Sequence, residues 1–240
     1  MSEFRDRIAV VTGGAHGIGA SVVRGLAGEG ARVHILDLDA QAASSLAAEV
    51  DGVAHCVDAR DASALQRAFV AIDREEPGID VLVSNVGGGA RRTLENMSVE
   101  DWDEAMALNL RSAFIATREV LPGMRRRGGG SIVNVSSIAA HSVSPVSGAA
   151  YAAAKAGLLA LTRQTAFEWA AQRIRANAVC PGPTRTALTH NSLRSDADFP
   201  LGRWTEAGDV AAAILFLASS RASMCSGTVM TVDGAFSLRT

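Results

Sequence analysis

Tyrosine occurs once in these 240 residues, at Tyr151, and lysine once, at Lys155, so every other member of the 23 lysines and arginines is an arginine. Cysteine is scarce too. Cys56, Cys180 and Cys225 are odd in number and far apart, which excludes a disulfide framework and paired zinc-ligand spacing, and fits a reducing compartment. No metal site is expected. No apolar stretch reaches the roughly 18 residues of a membrane span, and the start, MSEFRDRIAVVTGG, lacks the long apolar core of a signal peptide. The expectation is a cytoplasmic protein with no membrane partner. The formal charge is −2, and no basic run extends beyond Arg125 to Arg127, so no nucleic-acid surface is expected. Internal repeats and low-complexity linkers are absent as well.

What is present is a 48% hydrophobic chain in which short β-branched runs alternate with longer alanine-rich amphipathic stretches. That alternation predicts parallel strands joined by helical crossovers. The strands read as 8–12, 32–36, 53–57, 80–84, 131–136, 174–179 and 228–232. Helices read as 17–29, 40–50, 62–75, 98–126, 150–172 and 206–219, with Ser98 and Thr205 as entry caps. The fold class is α/β, a doubly wound (Rossmann) seven-stranded parallel sheet with helices on both faces, in a single domain spanning 1–240. Residues 185–204 form a long irregular stretch, the candidate substrate flap.

Two patterns carry chemistry. The first strand runs into Thr-Gly-Gly-Ala-His-Gly-Ile-Gly at 12–19. Gly13 can make the tight turn, Gly17 can admit a pyrophosphate to the backbone, and Gly19 can let the helix pack close, with phosphate charge held at the helix N-terminus. No Gly-Lys-Ser/Thr follows, which disfavours a P-loop hydrolase. Ile18 belongs to this cofactor turn, as does His16, which needs no chemical role of its own. Asp37 ends the second strand, where a carboxylate accepts from both ribose hydroxyls and repels a 2′-phosphate, so NAD is preferred over NADP; Leu38 lies beside it. A helix cap is the alternative use of Asp37 unless Asp39 takes that role.

The second pattern is Tyr151 and Lys155, four residues apart in GAAYAAAKAG and so stacked on one helix face. Lysine is a compact ammonium where arginine is a wide fork. A positive charge against a phenol lowers its pKa from about 10, giving a general acid or base.

These elements occur in a recognisable order: TGGAHGIG, then SNVG at 84–87, Asn109, SIVNVSS at 131–137, YAAAK at 151–155, PGPTRT at 181–186 and SGTVMTVDGA at 226–235. Together they resemble the short-chain dehydrogenase/reductase family in its compact single-domain form, over essentially the whole chain. The resemblance implies that Tyr151 is the acid/base, that Lys155 holds the nicotinamide ribose, and that Ser137 binds the substrate oxygen, with Ser136 its competitor. It implies that Asn109 holds a water linking Lys155 to solvent, the alternative being that it satisfies a helix kink. Asp58 and Ala59 are matched to the adenine contact, Asn85 and Gly87 to the turn beneath the adenosine ribose, and Pro181, Gly182, Thr184 and Thr186 to the nicotinamide end. Relatives usually write Asn-Asn-Ala-Gly where this chain has Ser84-Asn85-Val86-Gly87.

The implied activity is hydride transfer between NAD and a small secondary alcohol or ketone. An acyl-carrier ketoacyl reductase is the second enzymatic reading, and a catalytically idle nucleotide-binding scaffold is the third. Pocket walls are expected at 88–95, at 138–148 and in the flap through Trp204, with His141 as a substrate contact; Arg91 and Arg92 are read as part of a solvated loop, the alternative being contacts to an acidic group. Phe114, Leu158, Leu161, Phe167 and Trp169 suggest surface covered by other subunits, the alternative being that all of it is internal core, and the family resemblance implies a homotetramer.

Overall fold

In the computed structural model, which describes residues 2–90, 92–144, 146–189 and 194–238, each β-branched run forms a strand. In chain order the elements are β1 (Ile8–Thr12), α1 (Gly17–Gly28), β2 (Arg32–Asp37), α2 (Ala40–Val50), β3 (Val53–Cys56), α3 (Ala62–Glu75) and β4 (Val81–Ser84). There follow α4 (Val99–Met106), α5 (Ser112–Arg126), β5 (Gly130–Val135), α6 (Gly148–Trp169), β6 (Ile174–Pro181), β7 (Thr184–Arg185), β8 (Thr205–Glu206), α7 (Ala207–Ala218) and β9 (Val229–Val232). The large sheet is ordered β3-β2-β1-β4-β5-β6-β9 and every pairing in it is parallel. Strand order reverses between β1 and β4, and the crevice beyond the carboxyl ends of strands at such a point is where this architecture binds ligands. Thr12 and Ser84 are paired across that point.

The sheet is buried on both sides, which is why β1 and β4 are apolar runs rather than alternating ones. Alternation along each strand divides the packing between two faces: Val11, Val33 and Ile35 face α1, α2 and α7, whereas Val10, Leu36 and Leu82 face α3 and α5. Leu26 anchors the first layer and Phe69 the second, each essentially without exposure.

Three expectations change. The stretch 98–126 is two α-helices separated by a π-helical turn at Ala107–Arg111, which places Asn109 in the turn. Ser98 caps α4 through a capping box with Asp101, but Thr205 caps nothing. It lies in β8, paired with Thr184 of β7, and Glu206 takes the cap position of α7. The stretch 185–204 is thus tied at both ends, with short 3-10 turns at Ala187–Thr189 and Asp196–Asp198; its residues 190–193 lie outside the described residues. Among the apolar residues of the long helices, Leu158 belongs to the core, while Phe114 and Phe167 remain exposed.

Candidate active site

Gly13 adopts φ +63° and Gly17 φ +51°, left-handed conformations that side chains disfavour. The amide of Asn85 donates to the carbonyl of Gly13 at 2.7 Å, locking the turn against the end of β4. A Cβ on Gly19 would sit 2.0 Å from that carbonyl oxygen, so the helix can approach only as glycine. His16 precedes α1 without a side-chain cap, and no acid occupies the first turn, which leaves backbone N–H groups and the positive helix end free for an anion. These features fit the pyrophosphate of a dinucleotide.

At the end of β2, Asp37 accepts from the N–H of Ala15 at 2.9 Å and of Asp39 at 3.0 Å. Asp39 is the helix cap, accepting from Ala42, so Asp37 is spared that duty. His16 finds a partner the sequence did not suggest, with Nε2 3.0 Å from Asp39 Oδ2. Ile18 packs on the core beneath the turn, and Leu38 stands exposed beside Asp37. Past β3, Asp58 is held by Arg60 at 2.8 Å, and Ala59 is buried.

Tyr151 and Lys155 share one face of α6 at the open end of β5. Lys155 is fully buried, and its Nζ donates to the carbonyl of Val135 at 2.8 Å. Nζ lies 5.7 Å from the centroid of the Tyr151 ring. A Cβ on Gly87 would lie 2.6 Å from Nζ and 2.9 Å from Asn109 Oδ1, so glycine at 87 is what leaves room for both the ammonium and the amide. Asn109 clamps Gly88 in both directions, accepting from its N–H at 3.0 Å and donating to its carbonyl at 2.8 Å. The two serines separate cleanly. Ser136 donates to the backbone carbonyl of Lys155 at 2.8 Å, whereas Ser137 faces the phenol and favours its ionised form.

The electrostatics correct the expected direction of activation. Burial pushes the Tyr151 phenol up, the Ser137 hydroxyl opposing it only in part. Burial also pulls Lys155 down to about 8. The ammonium bonds the Val135 carbonyl rather than the phenolic oxygen, so loss of water outweighs the attraction expected from the spacing.

A family model described as enoyl-(acyl carrier protein) reductase matches residues 13–237. The chain is 36% identical over 250 residues to the D-threitol dehydrogenase of Mycolicibacterium smegmatis, covering 99% of this chain and 96% of that protein. It belongs to the short-chain dehydrogenase/reductase family. A 3-oxoacyl-acyl-carrier-protein reductase of Thermotoga maritima is 35% identical over 241 residues, with 96% and 98% of the two chains covered. The crystal structure of levodione reductase superposes with a TM-score of 0.91 at 29% identity, covering 99% of this chain and 100% of the other. The chain is therefore a dehydrogenase/reductase enzyme of a family that binds a nicotinamide cofactor.

Across the cleft of this short-chain dehydrogenase, Pro181 ends β6, and a Cβ on Gly182 would press to 2.6 Å from that of Asp233. Thr184 donates to the Gly182 carbonyl at 3.0 Å, and Thr186 lies against Gly17, so the segment after β6 touches the glycine turn. Trp204 departs from its expected place. It is buried, with its ring 4.8 Å from that of Phe199, because the flap has an aromatic core of its own, and it does not line the cavity beside Tyr151. His141 lies beside the site but directs Nε2 at the Cys180 thiol, 3.7 Å away. Nothing in the sequence pointed to Cys180. Arg92 pairs with Asp101 at 2.9 Å, and Arg91 lies outside the described residues.

A cavity of about 310 Å³ opens beside Tyr151, lined by Gly88, Gly89, Met97, Leu108 and Ser147 among others. A larger one, about 610 Å³, lies on α3 around Gln66, Arg67 and Arg74 and shares no residue with the site; chemistry rather than size selects the first. Among the described residues no cluster could hold a metal ion, and no helix is long and apolar enough to cross a membrane.

Proposed function

We propose that this protein is an NAD-dependent alcohol dehydrogenase or ketone reductase acting on a small secondary alcohol/ketone pair, with Tyr151 as general acid/base. The observation that carries the reading is the convergence of Tyr151, Ser137 and Lys155 at the carboxyl end of β5, one strand from the glycine turn's neighbour β4. In oxidation, Tyr151 takes the hydroxyl proton in its phenolate form, which the Ser137 hydroxyl favours against burial, as the carbinol carbon loses hydride and becomes a carbonyl. When bound, the oxidised nicotinamide supplies the hydride acceptor. Ser137 donates to the substrate oxygen and steadies its charge through the step. Lys155 holds the nicotinamide ribose and passes protons outward past Asn109, the residue that shares its position at Gly87. Reduction runs the same transfers backward, with the neutral phenol as acid.

Asp37 supports NAD. Its carboxylate, fixed by two backbone N–H groups at the end of β2, would meet the extra phosphate of NADP with like charge. Gly13, Gly17 and Gly19 with the uncapped start of α1 would hold the pyrophosphate, Asp58 and Ala59 the adenine, Asn85 and Gly87 the adenosine ribose, and Pro181, Gly182, Thr184 and Thr186 the carboxamide end. The cavity beside Tyr151 suits a compact substrate. Exposed Phe114 and Phe167 support burial between subunits of a homotetramer, and three free cysteines suit the cytoplasm.

The second reading, an acyl-carrier ketoacyl reductase, draws on the description of the matching family model and on the Thermotoga relative. A panel of secondary alcohols, ketones and acyl thioesters with NAD(H) and NADP(H), followed by nicotinamide absorbance, separates the two. Turnover of simple alcohols with NAD is expected; preference for NADPH with acyl thioesters would replace the first reading with the second.

A further inference from the structure

A chain of hydrogen-bonding groups away from the catalytic residues joins the two strands that end at the adenosine site. His34, with no exposure, lies on β2. Its Nδ1 is 2.9 Å from Nε2 of His55 on β3, and its Nε2 is 3.0 Å from Oε1 of Glu76 at the end of α3. Arg32 donates to the same carboxylate oxygen at 2.6 Å. The charged and titratable groups around the pair are Arg32 from β2, His55 from β3, and Glu75 and Glu76 from α3; β1 presents only Ile8 and Val10 at the paired positions.

The proton count in this chain is fixed by geometry. An ionised Glu76 only accepts, so His34 carries its hydrogen on Nε2, its Nδ1 accepts, and His55 donates from Nε2. One added proton can be housed on His55 Nδ1 with the bond to His34 kept. A second sets two N–H groups and two positive charges face to face at 2.9 Å, and the imidazoles must part. Parting them breaks the side-chain tie between β2 and β3. β3 is the sheet edge, with β2 as its single neighbour, and its four residues end in a bond from the N–H of Val57 to the carbonyl of Asp37. That bond aligns Asp37 with the segment leading to Asp58.

We propose that the His34–His55–Glu76 chain is a proton-sensitive latch on the edge strand: proton uptake frees β3 from β2 and weakens dinucleotide binding at the adenosine end. The proposal rests on the cofactor placement given above. Burial lowers the pKa of His34 against the pull of Glu76, and burial together with His34 lowers that of His55. Free imidazole titrates near ~6.5, so an opened edge takes up protons that a closed edge refuses. The latch is therefore intact above that pH and yields as pH falls below it, by up to about tenfold per proton for each pH unit.

The test follows amide exchange of residues 53–57, corrected for intrinsic rates, and the Kd of NADH by calorimetry, between about pH 7.5 and pH 5.5, spanning the imidazole range. Wild type is compared with His55→Gln, which keeps a donor toward His34 and cannot titrate. In wild type, where both imidazoles titrate, β3 protection should fall by more than about tenfold relative to β1 and NADH affinity should weaken with it; in His55→Gln, where His34 alone titrates, both should fall by no more than about tenfold. Equal pH dependence in the two proteins, or β3 protection that does not change, overturns the latch. Loss of β3 protection with unchanged NADH affinity overturns the coupling to the cofactor. If NADH binds at no pH, the cofactor reading fails instead, and amide exchange still decides the latch.

Discussion

Replacing Lys155 by methionine should abolish turnover and at the same time stabilise the fold. The lysine is fully buried, and its pKa falls from an ordinary 10.5 to about 8. At about 1.4 kcal/mol per pKa unit, keeping that ammonium charged in the folded protein at neutral pH costs about 3 kcal/mol. Methionine removes the cost and fills similar volume, but leaves the Val135 carbonyl, now bonded at 2.8 Å, without its donor, a loss of about 1–3 kcal/mol. The net is a gain of up to about 2 kcal/mol, or several degrees in Tm for a chain of this size. The pH dependence identifies the cause. Between about 8 and 10.5 the folded lysine has lost its proton while the unfolded one keeps it, so wild-type stability rises with pH and the advantage of the variant shrinks by about 3 kcal/mol. Urea unfolding of both proteins at neutral and alkaline pH measures this. A variant less stable than wild type at neutral pH, with a difference that does not move as pH rises, would refute the reasoning.

Two further outcomes follow from the geometry. Gly19→Ala should raise the Michaelis constant for NAD by at least about tenfold: the usual helix gain of about 1 kcal/mol is outweighed by a methyl placed 2.0 Å from the Gly13 carbonyl oxygen, and steady-state kinetics reads the balance. Ser137→Ala should lower kcat about 10²–10³-fold, the scale of one lost donor to a developing oxyanion, whereas Ser136→Ala should cost about 1 kcal/mol of stability with little change in kcat, since its hydroxyl serves the Lys155 backbone; kinetics and thermal unfolding of the pair distinguish them.

How far sequence reaches into this molecule depends on the range of the forces involved. Strands and most helices follow from local periodicity, and β1, α2 and α3 agree with it to the residue. The glycine turn and the Tyr151–Lys155 face are equally local. Asn109 is different: its amide clamps Gly88, twenty-one residues earlier, and the π-helical turn that allows this leaves no periodic mark. Trp204 reads as a flap side chain, yet Phe199 and Phe236 build an aromatic cluster around its site, and no spacing rule brings Phe236 there. The choice between Ser136 and Ser137 turns on which way a strand end points, and β-strand alternation reverses that with a single residue. The scarcity of lysine marked Lys155 as special, but the direction of its pKa depends on burial that only the folded chain creates.

The most direct measurement is the rate of NAD reduction by the best secondary alcohol with wild-type enzyme and Tyr151→Phe. Turnover should fall about 10²–10⁴-fold, the usual scale for a positioned acid/base, while the Kd of NADH stays near its wild-type value. A variant that retains near-wild-type turnover would contradict Tyr151 as the proton-transfer residue.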